Sequence, residues 1–254
     1  MNQIPCPSDL RAPQAITLPN GAGIVFDAVR LPQAPGLANL FDPNAWPQAT
    51  PVLGSGRGSA WFVGSASHEA VLRHYQRGGL LARLLGDWYP WQGAERTRSV
   101  AEFNLLAEMA ELGLPVPAPL AARYQRDGAG YRADILVARI ATAVPWAALL
   151  RANVSSAPWE QVGATVARFH RAGIDHVDLN VNNVLVDAAG QVWLIDFDRS
   201  QRRAVSRHWR YRNLRRLRRS IDKTLAGYQY DDALVSGWSR LRESYALAMA
   251  QGLP

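Results

Sequence analysis

Three polar residues between His176 and Asp198 have the types and spacing that phosphoryl transfer requires. Asp178 is followed five residues later by Asn183 and 18 residues later by Asp196. In such a reaction one carboxylate faces the acceptor hydroxyl, while a second carboxylate and an amide oxygen hold Mg²⁺ against nucleotide phosphates. The pattern therefore favours phosphoryl transfer. The alternative is a chance polar string beside a buried strand.

Two features upstream of this segment are suited to binding phosphates. Gly54, Gly56 and Gly58 precede a predicted β-hairpin and would let backbone N–H groups approach phosphate oxygens closely. Arg73 lies in a second apolar strand, and Glu102 lies early in a predicted amphipathic helix, where it can pair with Arg73. A glycine-rich turn without a ligand and two ordinary surface charges are the alternatives.

Regions of different character must position these residues. Residues 1–50 are proline-rich and are expected to form an irregular arm. Residues 51–141 are expected to form a β-rich lobe and residues 142–254 a mainly helical one. The predicted strands lie at 60–63, 70–75, 120–125 and 131–140, and the clearest predicted helices at 96–112 and 159–171. The sequence therefore predicts an α+β protein with two lobes.

The composition of the chain indicates a globular protein and argues against a disulfide-bonded, secreted or membrane-spanning one. The 254 residues are 48% hydrophobic and 19% charged, which is typical of a globular protein with a sizeable core. Cys6 is the only cysteine, so neither an intrachain disulfide nor a thiolate metal site is expected. The N-terminal sequence lacks the features of a signal peptide, and the apolar run at 140–150 is shorter than the ~20 residues of a transmembrane helix. We therefore expect folding in the cytosol.

The positive charge is concentrated in one segment. Of the 28 basic residues, 11 lie between Arg199 and Lys223 with a single acid, which gives this segment a net charge of +10, whereas the rest of the chain has −3. Its apolar residues recur at helical spacing. An anionic membrane surface or a phosphorylated lipid is the expected partner of the Arg202–Arg219 part. Nucleic acid is not expected, because no nucleic-acid-binding module accompanies the segment.

Five stretches carry a family resemblance: GRGSAWFV, VLRHYQRGGLLARLLGD, AEFNLLAEMAELGLPVPAP, HVDLNVNNVLVD and VWLIDFDRS. In these the chain resembles the protein-kinase-like superfamily and, within it, the lipopolysaccharide sugar kinases that act on 3-deoxy-D-manno-octulosonic acid (Kdo). The resemblance implies a two-lobed kinase-like fold. It also implies ATP-dependent phosphorylation of the 4-hydroxyl of Kdo on a lipid A precursor, at the cytoplasmic face of the bacterial inner membrane.

The resemblance also implies roles for individual residues. Asp178 would be the catalytic base, and Asn183 and Asp196 would bind Mg²⁺. The residues that would bind ATP are Gly54, Gly56, Gly58, Arg73 and Glu102.

Three positions depart from the protein-kinase pattern. Arg73 stands where protein kinases have a phosphate-binding lysine, and Asp198 replaces the glycine of the D-F-G motif. Asn180 replaces the catalytic-loop lysine that neutralises the transferring phosphoryl group, a charge that an arginine elsewhere can supply. The alternatives are another small-molecule kinase of this fold, such as a heptose or antibiotic phosphotransferase, and a catalytically dead kinase-like domain that binds lipid or nucleic acid.

Overall fold

The chain divides into two compact units. They are Met1–Gly113 with Pro117–Arg139, and Leu114–Val116 with Ile140–Pro254. The computed structural model describes residues 13–18, 20–31, 36–52, 60–64, 69–76, 86–227 and 231–251. Within these ranges, no helix has the length and apolar character needed to cross a membrane.

The first unit is built around an antiparallel sheet. Its eight described strands run in the order β1-β2-β7-β8-β5-β4-β3, with β6 paired to β8. They are β1 (Gln14–Thr17), β2 (Ala22–Phe26), β3 (Gln48–Pro51), β4 (Ala60–Gly64), β5 (Glu69–His74), β6 (Tyr89–Pro90), β7 (Pro119–Asp127) and β8 (Gly130–Ala138). Leu72 lies opposite Leu136, which lies opposite Ala121. This row of side chains belongs to the buried core of the unit.

The β1–β2 hairpin corrects an expectation from the sequence. The proline content predicts an irregular arm through residue 50, but β1 pairs with β2 and β2 pairs with β7. Gly21 lies in the connecting turn with φ of 77°, a conformation that glycine adopts without strain. Pro13 lies just before β1, which is an edge strand, where a missing N–H donor is tolerated.

Helix α1 (Arg98–Glu111) packs against β7 and β8. Its buried side includes Val100, Phe103, Leu106 and Met109, which follow one another at helical spacing. Gly113 has φ of 66° just after the helix, which is the usual way for a helix to end. The predicted helix at 96–112 is confirmed, and it holds Glu102 inside the first unit.

The second unit is mainly helical. Its described helices are α2 (Trp146–Ala152), α3 (Trp159–Arg171), α4 (Arg207–Thr224) and α5 (Asp231–Ala250), and its strands are β9 (Val144–Pro145), β10 (Ile174–Asp175), β11 (Val184–Val186), β12 (Val192–Leu194) and β13 (Gln201–Arg202). Helices α3 and α5 approach closely at Gly163, where a Cβ atom would lie 2.2 Å from the Leu241 carbonyl oxygen. The α+β class predicted from the sequence, with a β-rich part and a mainly helical part, is confirmed.

Candidate active site

The polar triplet lies on connected turns of the second unit. Residues 176–183, here called the catalytic loop, join β10 to β11. The Asn183 N–H donates to the Asn180 carbonyl over 3.1 Å, and the Ile195 N–H donates to the Asn183 carbonyl over 3.0 Å. Because β11 and β12 are antiparallel, Asn183 lies beside the residue that precedes Asp196.

Asp178 presents its carboxylate at the surface of the catalytic loop. Its side chain is 57% exposed, whereas its backbone carbonyl accepts 3.0 Å hydrogen bonds from the side-chain amides of Asn180 and Asn183. The carboxylate Oδ2 accepts a longer bond of 3.3 Å from Asn180, and Oδ1 lies 3.8 Å from a guanidinium nitrogen of Arg216. The backbone is therefore fixed while the carboxylate is accessible to a hydroxyl group.

Asn183 and Asp196 supply the kinds of oxygen that Mg²⁺ binds. Asn183 is buried, and its amide nitrogen donates to Asp178, which leaves Oδ1 as the oxygen for a metal. Asp196 has φ of 63°, an uncommon conformation that is often found at functional sites. One amide oxygen and one carboxylate form a donor set that fits Mg²⁺, which uses few protein ligands together with nucleotide phosphates.

His176 is a buried positioning residue. Its Nε2–H donates to the Ile195 carbonyl over 3.0 Å, and its ring centre lies 4.6 Å from that of Phe197. Burial lowers the pKa of His176, so the ring is neutral at physiological pH. The neutral ring thereby joins the start of the catalytic loop to the turn that carries Asp196.

Helix α4 packs along the catalytic loop through polar contacts. The carboxylate of Asp175, 1% exposed, accepts hydrogen bonds from Arg212 over 3.0 Å and from Asn213 over 2.9 Å. Two turns further along the helix, the Ser220 hydroxyl accepts from the Val181 N–H over 3.1 Å. These contacts fix the register of the helix against the loop.

Arg73 and Glu102 are in contact in the first unit. Arg73 on β5 forms an ion pair with the Glu102 carboxylate on α1, and the Tyr75 hydroxyl donates to the same carboxylate. Burial, followed by the charge of Glu102, raises the pKa of Tyr75 well above its usual value, so Tyr75 donates as a neutral phenol. The pairing expected from the sequence is present. The role of the pair toward ATP stays a prediction.

The structure therefore brings Asp178, Asn183 and Asp196 together in the second unit and Arg73 and Glu102 together in the first. The remaining predicted residues are the three glycines. Gly54, Gly56 and Gly58 lie outside the described residues.

Three residues of the second-unit site are not among the site residues predicted from the sequence: Asp175, Asn213 and Arg216. The sequence predicts Arg216 only as part of the basic Arg202–Arg219 segment. Asn213 offers a signal in the sequence, because it is a polar residue at helical spacing from the apolar residues Leu217 and Ile221, and the structure buries all three on α4. Asp175 lies next to the H-x-D motif but has no role in it. The place of Arg216 depends on how α4 packs on the loop, which the sequence pattern does not specify.

Similarity to known proteins extends over most of the chain. Residues 44–245 match the Lipopolysaccharide kinase (Kdo/WaaP) family. The chain is 49% identical over 230 residues to a 3-deoxy-D-manno-octulosonic acid kinase of Xylella fastidiosa (strain M12), which covers 90% of this chain and 91% of that protein. Proteins of the same description from Xanthomonas euvesicatoria pv. vesicatoria (strain 85-10) and Xanthomonas oryzae pv. oryzae (strain PXO99A) are 48% and 49% identical, with the same coverage.

A solved structure is also similar. It is the Rio2 kinase–ADP/Mg²⁺–phosphoaspartate complex from Chaetomium thermophilum, with a TM-score of 0.47 and 18% sequence identity. The match covers 84% of this chain and 71% of that chain.

Proposed function

This chain belongs to the lipopolysaccharide kinase (Kdo/WaaP) family, and from that premise we propose that it transfers the γ-phosphoryl group of ATP to the 4-hydroxyl of Kdo on a Kdo-bearing lipid A precursor. The observation that carries the proposal is the accessible carboxylate of Asp178 on a fixed loop, next to Asn183 and close in the chain to Asp196. Relatives that are almost half identical to this chain are named as Kdo kinases.

In the proposed reaction, Asp178 orients the acceptor hydroxyl and takes its proton as the hydroxyl oxygen attacks the γ-phosphorus. The bonds from Asn180 and Asn183 to the Asp178 carbonyl hold the carboxylate in place before the acceptor binds. When bound, Mg²⁺ supplies neutralisation of the nucleotide phosphates. The Asn183 Oδ1 and the Asp196 carboxylate are the atoms that would hold it.

Arg73 is the proposed contact to ATP in the first unit. A planar guanidinium can span a carboxylate and a phosphate oxygen at the same time, which an ammonium does less well. The ion pair with Glu102 orients the Arg73 guanidinium, and the Tyr75 hydroxyl holds the Glu102 carboxylate. Gly54, Gly56 and Gly58 are the proposed backbone contacts to the same phosphates.

The proposed acceptor is tested by incubating the protein with Mg²⁺, ATP and a Kdo-bearing lipid A precursor, and by analysing the product with mass spectrometry and NMR. The expected product carries one additional phosphoryl group on carbon 4 of Kdo. Parallel incubations with heptose-bearing lipid and with an aminoglycoside test the other small-molecule kinases of this fold. Phosphorylation of either compound without phosphorylation of Kdo contradicts the proposal. So does an absence of Mg²⁺-dependent ATP turnover, which is the result expected for a dead kinase-like domain.

We also propose that the Arg202–Arg219 segment binds the anionic membrane surface that carries the acceptor, which places the protein at the cytoplasmic face of the bacterial inner membrane. Arg207, Arg215 and Arg219 are exposed on α4, and Tyr211 among them is largely exposed as well. A basic residue near an anionic bilayer contributes about 1 kcal/mol of binding free energy. A tyrosine is suited to the same interface because its ring is apolar and its hydroxyl polar.

Sedimentation with vesicles that contain phosphatidylglycerol tests this surface. Replacing Arg207, Arg215 and Arg219 with glutamine is expected to weaken binding about 100-fold at low salt, because three favourable charges are lost. A matched control replaces Arg96, Arg126 and Arg139, three exposed arginines of the first unit, and so makes the same change in net charge. Equal loss of binding in the two triple variants contradicts a specific role for the segment.

A further inference from the structure

The catalytic loop lacks a cation at the position where phosphoryl transfer needs one. Negative charge is spread over the oxygens of the transferring group in the transition state, and positioned cations stabilise it. Asn180 stands in this part of the loop, where its neutral amide donates over 3.3 Å to Oδ2 of Asp178. Residues 176–183 contain no lysine or arginine, so a cation beside Asp178 has to come from another part of the chain.

Arg216 is placed to supply that charge. Its guanidinium nitrogen lies 3.8 Å from Oδ1 of Asp178, the carboxylate oxygen opposite the one that Asn180 contacts. This distance is longer than the 2.7–2.9 Å or so of a tight charge-assisted hydrogen bond, so Asp178 does not bind the guanidinium firmly. In addition, the Arg216 Nε–H is buried and has no hydrogen-bond partner among the described residues.

The position of Arg216 is fixed by its neighbours on α4. One turn before it, Arg212 and Asn213 bind the buried Asp175, and one turn after it, Ser220 binds the Val181 N–H. Arg212 is already hydrogen-bonded to Asp175 at 3.0 Å. Arg216 is therefore the arginine of α4 that contacts the carboxylate of Asp178.

We propose that the Arg216 guanidinium contacts the transferring phosphoryl group and takes the role that Asn180 cannot fill. The inference rests on the proposed function. In the step, the acceptor oxygen forms a bond to the γ-phosphorus, the bond from that phosphorus to the β–γ bridging oxygen breaks, and ADP leaves with the bond electrons. The hydroxyl proton moves to Asp178. Arg216 gains no proton and stabilises the charge of the oxygens around phosphorus.

A contact to the acceptor's carboxylate is a different role for the same arginine, and the observations favour the phosphoryl group. The acceptor hydroxyl must lie against Asp178 to lose its proton, and the γ-phosphorus must lie next to that hydroxyl. A guanidinium 3.8 Å from the Asp178 carboxylate is therefore close to the reacting atoms themselves. The carboxylate of a sugar acid is several bonds away from its reacting hydroxyl.

The kinetic test compares Arg216→Gln with Arg240→Gln, with the acceptor in detergent micelles. Arg240 is a close match, since its side chain is 36% exposed against 38% for Arg216, it lies beside the Glu160 carboxylate, and its Nε is also buried and unpaired among the described residues. Arg216→Gln is expected to lower kcat about 100-fold with little change in either KM. Arg240→Gln is expected to stay within about twofold of the wild-type kcat.

Charge restoration adds a readout that a merely structural role would not change. Adding Asn180→Lys to Arg216→Gln returns a cation to the loop and is expected to raise kcat at least about tenfold over Arg216→Gln alone. A raised KM for the acceptor with unchanged kcat in Arg216→Gln assigns the arginine to the acceptor's carboxylate and overturns the proposal.

A binding measurement decides the question without turnover. Aluminium fluoride with ADP and Mg²⁺ imitates the transferring phosphoryl group, whereas ADP with Mg²⁺ does not. Arg216→Gln is expected to lower affinity for the aluminium fluoride complex about 100-fold and to leave ADP affinity unchanged, as measured by calorimetry. Equal affinities of Arg216→Gln and wild type for the complex overturn the proposal, whatever the acceptor. By contrast, failure of the wild-type protein to phosphorylate Kdo contradicts the proposed function alone.

Discussion

Arg73 in the first unit and Arg216 in the second both lie beside a carboxylate, but the two carboxylates have different surroundings. Glu102, the partner of Arg73, is 4% exposed and also accepts a hydrogen bond from Tyr75. Asp178, the partner of Arg216, is 57% exposed and lies 3.8 Å away. The same two chemical groups thus belong to the interior in one place and are open to reactants in the other.

Asp175 shows that buried and exposed carboxylate–arginine pairs occur within the same unit, so the surroundings of a pair do not depend on the unit in which it lies. It precedes the catalytic loop in the same unit as Asp178, yet it is 1% exposed and accepts hydrogen bonds from Arg203, Arg212 and Asn213. Breaking a buried ion pair is strongly destabilising, whereas an exposed pair contributes little to stability. We therefore expect effects on stability and effects on activity to separate by burial.

The largest loss of stability is expected for Asp175→Asn. The variant places a neutral amide against two guanidinium groups and leaves them without their buried carboxylate, so the free energy of unfolding should fall by about 3 kcal/mol. Urea unfolding followed by tryptophan fluorescence measures it. Asp222→Asn is the control, because Asp222 is an exposed partner of Arg218. Similar unfolding midpoints for the two variants contradict the role assigned to burial.

A smaller loss is expected for Glu102→Gln. Removal of this buried charge leaves Arg73 without its carboxylate, but Arg73 is itself partly exposed to water, so the expected loss is about 2 kcal/mol. The same urea measurement applies, with Glu69→Gln as the control, since the Glu69–Arg139 pair is exposed on both sides. If Glu69→Gln destabilises the protein as much as Glu102→Gln, the contrast between buried and exposed pairs fails.

His74 is expected to give the smallest loss, and one that depends on pH. Its ring nitrogens contact Asp134 at 2.7 Å and Asp87 at 2.9 Å, and the hydrogen bond to Asp134 is the main cause that raises the pKa of His74 above 6.5. The contribution is therefore complete below pH 6.5 and is lost as pH rises through the raised pKa of the folded state. His74→Gln should destabilise the protein by no more than about 1 kcal/mol in mildly acidic solution and by less in alkaline solution. A loss that is the same at both pH values contradicts this interpretation.

The parts of the fold with strong local signals are predictable from the sequence. The helix expected at 159–171 coincides with α3, and the one expected at 96–112 with α1 (Arg98–Glu111), because amphipathic spacing and helix ends are local features. The β1–β2 hairpin is not predicted in the same way. Its proline-rich surroundings argue against a strand, and its stabilising partner β7 is distant in the chain.

The same distinction between local patterns and distant contacts applies to the residues of the candidate site. Asp178, Asn183 and Asp196 follow one another within one loop and the adjoining hairpin, so their spacing alone suggests their chemistry. Arg216 reaches Asp178 only because Asp175 and Ser220 hold α4 in register with the loop. A tertiary contact of this kind leaves no periodic pattern in the sequence.

Asp178→Asn tests the proposed chemistry most directly, because Asp178 is exposed and its replacement should not disturb the fold. The urea midpoint and ADP affinity should match those of the wild-type protein. Single-turnover transfer of the phosphoryl group from ATP to the Kdo-bearing lipid should be about 1,000-fold slower, since the residue that accepts the hydroxyl proton is lost. A transfer rate within about tenfold of the wild-type rate contradicts the assignment of Asp178 as the catalytic base.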